Sequence, residues 1–281
     1  MNKLSVCVGL LFWLLVWPLL SSAGEAQNAF NEGVKFYRAG KFKEAVNAFS
    51  RAIKASPKAD EAYNNRGLAY FKLGELDDAI KDYDQALKLN GKLTEAYFNR
   101  GNAHFAQKRY ARALADFDEV LKLDPKAWTA HRQRGLTYNA LNQFDKAIAE
   151  FNQAQKGDPK DAEIYYSRGF AYRRLGKHQQ ALQDYSEAIK LAPKNSEAYN
   201  NRANVYSLLG KYDEAVKDYD EAVKLEPKNA RIYANRGAIK LRQHKNDDAQ
   251  KDFKTALELE PALKSKLDPL IAVAEKAAAA H

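Results

Sequence analysis

The chain has 281 residues, 46% of them apolar, with only 14 Gly and 8 Pro, a composition that suits a large folded body and excludes wholesale disorder. Its 45 cationic and 36 anionic residues give a formal charge of +9 and a pI of about 9.3. The charges are interspersed without a polybasic run, which is the pattern of solvated helix faces; a nucleic-acid binder gathers its cations into one patch.

The first 23 residues stand apart. Lys3 is followed by an apolar run, Leu4 to Leu20, and then by Ser21-Ser22-Ala23. The small residues at Ser21 and Ala23 fit a signal-peptidase site, so 1–23 is expected to be a signal peptide cleaved after Ala23. Pro18 breaks the helix just before that site. The alternative is an uncleaved anchor over 4–20, at the short limit for a bilayer span. Cys7 lies inside this segment and is the only cysteine. The mature chain therefore has no disulfide, thiol nucleophile or cysteine metal site.

From residue 26 onward one register governs the chain. Gly33, Gly67, Gly101, Gly135 and Gly169 stand 34 residues apart, followed by Ala203 and Gly237. Ala45, Ala79, Ala113, Ala147, Ala181, Ala215 and Ala249 follow at a fixed offset. Four residues on come Phe49, Tyr83, Phe117, Phe151, Tyr185, Tyr219 and Phe253. Seven repeats fit without a gap: 26–59, 60–93, 94–127, 128–161, 162–195, 196–229 and 230–263. Most close on a proline, such as Pro57 or Pro125, with Gly91 in the remaining slot.

Each repeat reads as two helices. In the second, the spacing predicts Asp60 to Leu73 and Leu76 to Leu89, with Gly74 ending the first helix in a left-handed conformation. Gly40, Gly176, Gly210 and Asn142 serve the other repeats in the same way. One helix pair cannot cover its apolar face alone, but stacked pairs share a continuous core.

Tyr-x-x-x-Gly-x-x-Tyr, then Ala-x-x-x-Phe/Tyr-x-x-Ala, then Pro, at this period, resembles the tetratricopeptide repeat family over 26–263. The resemblance implies an all-α fold, a right-handed superhelical solenoid of antiparallel helix pairs. It departs from the family in two places. The family's usual Trp is Tyr here, or Ala29 and His131; its usual Leu before the glycine is Arg66, Arg100, Arg134, Arg168, Arg202 and Arg236. Sixteen residues after each arginine stands an acid: Asp82, Asp116, Glu150, Asp184, Asp218 and Asp252. The first repeat lacks both, having Glu32 and Ala48. That joint absence predicts an arginine–carboxylate pair joining the two helices of a repeat, because a buried guanidinium needs a partner.

After Leu263 the pattern stops. Asp268-Pro269 reads as a helix start, with Asp268 as the N-cap and a short helix from Leu270 to Ala280, so that 264–281 is expected to be a C-terminal capping element.

No reactive constellation accompanies the repeats. His104, His131, His178, His244 and His281 show no ligand spacing, and no phosphate loop, nucleophile elbow or HExxH occurs. The expectation is a non-enzyme with no cofactor and no metal. The resemblance implies instead that the first helix of each repeat lines a concave groove. A row of amides then faces it: Asn31, Asn65, Asn99, Asn201 and Asn235, with Gln133 and Ser167 in the gap. Amides donate and accept, so this row is either a peptide-binding ladder or scaffold chemistry. Phe30, Tyr37, Phe71, Phe98, Phe105, Tyr166 and Phe170 fall beside it, with Arg132 and Arg173 among them. This is a surface for apolar anchors and carboxylates, unless the rings pack internally. The family's lysine–asparagine carboxylate clamp is not matched, since Phe30, Val34, Phe98 and Asn102 stand in most of its slots.

The sequence thus points to an exported scaffold, in a periplasm or cell envelope, that binds segments of other proteins. A non-catalytic subunit of a carbohydrate- or peptide-processing enzyme is a second reading, and a single-stranded nucleic-acid binder a third. Export argues against nucleic acid, and membrane contact is expected only through an uncleaved N-terminal segment.

Overall fold

A computed structural model describes residues 23–278. The expected signal segment with Cys7, and His281, lie outside the described residues. Within them every regular element is a helix and none is long and apolar enough to cross a membrane.

The chain divides into two compact units, one ending at Thr137 and the other beginning at Tyr138. In the first unit, α1 (23–38) pairs with α2 (Phe42–Ala55), α3 (Asp60–Leu73) with α4 (Leu76–Leu89), and α5 (Thr94–Ala106) with α6 (Tyr110–Leu123). Helix α7 (Trp128–Ala140) carries the division between the units. The second unit contains α8 (Phe144–Gly157), then the pairs α9 (Ala162–Arg174) with α10 (His178–Leu191), α11 (Ser196–Leu208) with α12 (Tyr212–Leu225), and α13 (Ala230–Arg242) with α14 (Asn246–Leu259). The boundaries of α3 and α4 are those the sequence predicts.

Two devices set this geometry. The turn inside each pair is made by one left-handed residue, with φ +73° at Gly40 and +80° at Gly74. The same slot holds Asn142, as expected, and also Lys108 at φ 60° and His244 at 61°, which the glycine signal did not identify. Non-glycine residues tolerate this conformation at a cost of about 1–2 kcal/mol. The second device is close packing. Phe49, Tyr83 and Phe117 in the first unit, and Phe151, Tyr185, Tyr219 and Phe253 in the second, are essentially inaccessible to solvent. The ring opposite a glycine packs directly against it: a Cβ built on Gly67 would stand 2.7 Å from the Tyr83 ring. Alanines at 45, 79, 113, 181, 215 and 249 are fully buried, so the helices of a pair come close enough to exclude water.

The C-terminus corrects one expectation. A short 3-10 turn, Pro261–Leu263, leads into α15 (Lys264–Ala278), so the helix opens four residues before Asp268 and Pro269 lies inside it. Asp268 does not cap; its carboxylate accepts from Lys264 Nζ at 3.1 Å. Burial decides the register. Leu263 and Leu267 are buried, and Leu270 and Ile271 pack with them against Ala249, Phe253 and Ala256. This apolar stripe outweighs the hydrogen bond lost at Pro269. Helix α15 packs on both α13 and α14 and shields the apolar face that a following repeat covers elsewhere in the second unit.

The A-helix faces and the arginines that fix them

We call the first helix of each pair the A helix and the second the B helix. From α3 onward, each A helix carries an arginine that bonds it to a neighbouring B helix; in α1 Glu32 takes that slot and accepts from Arg51 on α2 (2.7 Å). Arg66 Nε and Nη2 donate to the two oxygens of Asp82, each at 2.7 Å, on the B helix of the same repeat. Arg168 does the same to Asp184, Arg202 to Asp218 and Arg236 to Asp252, at 2.6–2.9 Å. Arg100 embraces Asp116. These are the predicted intra-repeat pairs. The hydrogen bond from Arg66 to Asp82 holds the guanidinium pKa above its ordinary value. For Arg168, burial opposes the charge, and the hydrogen bond and charge of Asp184 outweigh it, so its pKa is also raised.

The third nitrogen does something the sequence reading missed. Nη1 reaches back to the B helix of the preceding repeat. Arg66 bonds Ser50 Oγ (3.0 Å), Arg134 bonds Asp118 (2.6 Å) and Arg236 bonds Asp220 (2.7 Å). Arg168 bonds Asn152 (2.7 Å) and Gln155 (2.6 Å), and Arg202 bonds Ser186 (3.0 Å). Arg100 bonds Asp84 in the same way. One guanidinium therefore joins three helices. The signal was present: Ser50, Asp84, Asp118, Asn152, Ser186 and Asp220 are polar at period 34, sixteen residues before each arginine. The tyrosine three residues before the arginine completes the cluster, with Arg66, Arg100, Arg168, Arg202 and Arg236 lying 5.4–5.8 Å from those ring centroids.

With the A helices so held, their outward faces can be read position by position. In the first unit Phe30 leans on Phe49, with centroids 5.6 Å apart, and Phe98 on Phe117 at 5.9 Å. Tyr37 meets Phe42 edge-on at 5.4 Å and Phe105 meets Tyr110 at 5.6 Å. Phe71 packs with Leu68 against Ala79, Ile80 and Tyr83. In the second unit Tyr166 leans on Tyr185 and Phe170 on Phe144. All of these predicted groove rings are half-buried: one side packs on a B helix and the other forms the floor of the A face. Arg173 lies over the Phe170 ring at 5.4 Å, and Arg132 sits half-buried on α7.

The amide row is more committed than its sequence suggests. Asn99 donates to Asn64 Oδ1 (3.0 Å) and Asn235 to Asn200 Oδ1 (3.3 Å), each on the preceding A helix. Asn201 donates to the Tyr166 hydroxyl (3.0 Å), which in turn donates to Glu197 (3.1 Å). Asn65 donates to its own helix at the Glu61 carbonyl (2.8 Å), and Asn31 accepts from Gln27. Gln133 is half-buried and its backbone carbonyl accepts from Thr137. Ser167 fills its slot as a buried residue, its carbonyl accepting from Asn139. The row is therefore partly an inter-repeat tie.

Two of the histidines pack within the fold. His131 stacks on Trp128, and His104 is buried near Asp116, where burial first, and then Arg100, Arg112 and Arg109, hold its pKa below the ordinary value against the pull of Asp116. Among the described residues no group of three or more His, Cys, Asp or Glu is placed to hold a metal ion.

Solved structures share this architecture. A tetratricopeptide repeat protein from Parabacteroides merdae aligns over 90% of this chain and 99% of its own, with 22% identity and a TM-score of 0.66. YrrB, a TPR protein with an unusual peptide-binding site, aligns over 65% of this chain and 94% of its own, with 22% identity and a TM-score of 0.56. A thermophilic TPR protein of Thermus thermophilus aligns over 64% and 98%, with 26% identity and a TM-score of 0.51. A search of curated proteins gave no match. Models of the tetratricopeptide repeat match residues 30–93, 72–127 and 98–162, then 162–195 and 196–229, then 230–263, and on that coverage the chain belongs to the tetratricopeptide repeat family.

Proposed function

We propose that this protein is an exported scaffold that holds segments of other proteins on its A-helix faces during assembly of envelope complexes. The observation that carries this reading is the floor of the first unit. Phe30, Leu68, Phe71, Phe98 and Phe105 are each half-buried, anchored on one side and open on the other. Rings immobilised by packing give apolar contact at little further entropy cost, which is the property of binding hot spots. The peptide-binding site of YrrB, a protein of like fold, supports the same use of the fold. The segment of Leu4 to Leu20 and Ser21-Ser22-Ala23 supports export to a periplasm or cell envelope.

The test is capture of immobilised peptides by residues 24–281, read by fluorescence anisotropy. Binding that drops at least tenfold in Asn65→Ala plus Phe71→Ala supports the reading. Unchanged capture removes the A-face assignment, and intrinsic hydrolase activity would replace it. Fractionation with N-terminal sequencing tests export: a mature chain starting at Gly24 outside the cytoplasm supports it.

A further inference from the structure

The A face of the first unit has two charged rims of opposite sign. Glu61 and Glu95 stand on the first turns of α3 and α5, and Arg38 and Lys72 at the ends of α1 and α3. All four are exposed, and none is engaged in an ion pair among the described residues. The half-buried floor of Phe30, Leu68, Phe71 and Phe98 lies between the rims.

We propose that this face takes an amphipathic α-helix of another protein, laid across α1, α3 and α5, with an apolar stripe on the floor, basic side chains toward Glu61 and Glu95, and acidic side chains toward Arg38 and Lys72. The inference rests on the binding role proposed above and names the partner's chemistry. Three observations support it. First, Glu61 and Lys72 are eleven residues apart on one helix, so the rims stand about 16 Å apart at a rise of 1.5 Å per residue. A helix about 10–12 Å across fits between them, with room for its charged tips. Second, three chemistries must be met at once: a floor and two rims. A helix presents a floor stripe and two flanks together, whereas a strand directs its side chains to only two sides. Third, Asn65 and Asn99 already spend an amide hydrogen within the protein, on Glu61 and Asn64, which weakens the floor as a ladder for an extended main chain. A helix needs no such ladder, since its own backbone bonds are made.

The spacing follows. Neighbouring A helices packed at about 8–10 Å set the distance between successive rim charges. On a crossing helix the matching residues of one flank are i and i+7, about 10.5 Å apart. Helix dipoles alone also favour acids in first turns and cations in last turns. That explanation predicts no discrimination among bound peptides, so the experiment separates the two.

Three 21-residue helical peptides with one shared Leu/Phe stripe serve as probes: one with Lys on one flank and Glu on the other at i, i+7, one with Glu on both flanks, and one with Gln on both. The mixed peptide is expected to bind residues 24–281 at least tenfold tighter than the other two, with a preference that shrinks at high salt. In Glu61→Lys plus Glu95→Lys, whose exposed positions leave the circular dichroism unchanged, preference should pass to the peptide with Glu on both flanks. Equal binding of all three peptides, or no transfer of preference in the variant, overturns the rim assignment. If no helical peptide binds but non-helical, proline-containing peptides are captured in a Phe71-dependent manner, the helix inference falls and the scaffold reading stands. If neither kind binds, both fall.

Discussion

Arg168 and Asp184 face each other across two helices with two parallel hydrogen bonds of 2.8 Å, and the remaining arm of the same guanidinium grips Asn152 and Gln155 on α8. The pair is nearly sealed from water, with side-chain exposures of 10% and 9%. Removing the carboxylate alone leaves a buried cation. Asp184→Ala is therefore expected to destabilise the protein by about 3–5 kcal/mol, and Arg168→Leu plus Asp184→Leu to recover most of that loss. Urea denaturation of the three proteins measures it; a double variant as weak as Asp184→Ala contradicts the account.

Gly101 carries a different constraint. A Cβ there would stand 2.6 Å from the Phe117 ring, which is itself fully buried. Gly101→Ala should cost about 1–3 kcal/mol through displaced packing, although alanine is the better helix former. A thermal midpoint at or above that of the unmodified protein would show that the ring has room to move.

His104 gives the stability a pH dependence. It stands at the position where Tyr70 and Tyr206 lie beside Arg66 and Arg202. Burial lowers its folded-state pKa, so the unfolded chain binds the proton more readily. The stability this residue confers is then complete above the ordinary histidine value of about 6.5 and declines as the pH falls below it toward the lowered folded value. His104→Tyr should flatten the decline in that window. Parallel denaturation curves at pH 7 and pH 5 for both proteins decide the matter.

Pro269 interrupts the hydrogen-bond ladder of α15 and is kept there by the burial of Leu267 and its neighbours. Pro269→Ala restores a donor without touching that stripe. It is expected to stabilise the C-terminal helix by about 1–3 kcal/mol. Slower amide exchange along α15, with no change in α3 or α5, is the signature to look for.

The 34-residue register, the helix boundaries of α3 and α4, the left-handed turns at Gly40, Gly74, Gly176 and Gly210, and the arginine–aspartate pairs are all legible without coordinates. Each is a consequence of a fixed period. A residue type that recurs every 34 positions reports a constraint that recurs, and a pair that is lost together in the first repeat reports a contact. Stacking settled what period leaves open. It gave the arginines their second partner on the preceding B helix, because a guanidinium has more donors than one carboxylate can take. It spent part of the asparagine row on contacts between neighbouring A helices, because those amides stand within hydrogen-bond reach only once the repeats stack. It placed Lys108 and His244 in left-handed turns, where position in the stack outweighs residue preference. It also drew the start of α15 back to Lys264, where Leu263 and Leu267 are buried against Ala249, Phe253 and Ala256 of α14. Local propensity is written in neighbouring residues, whereas these outcomes depend on which helix lies alongside.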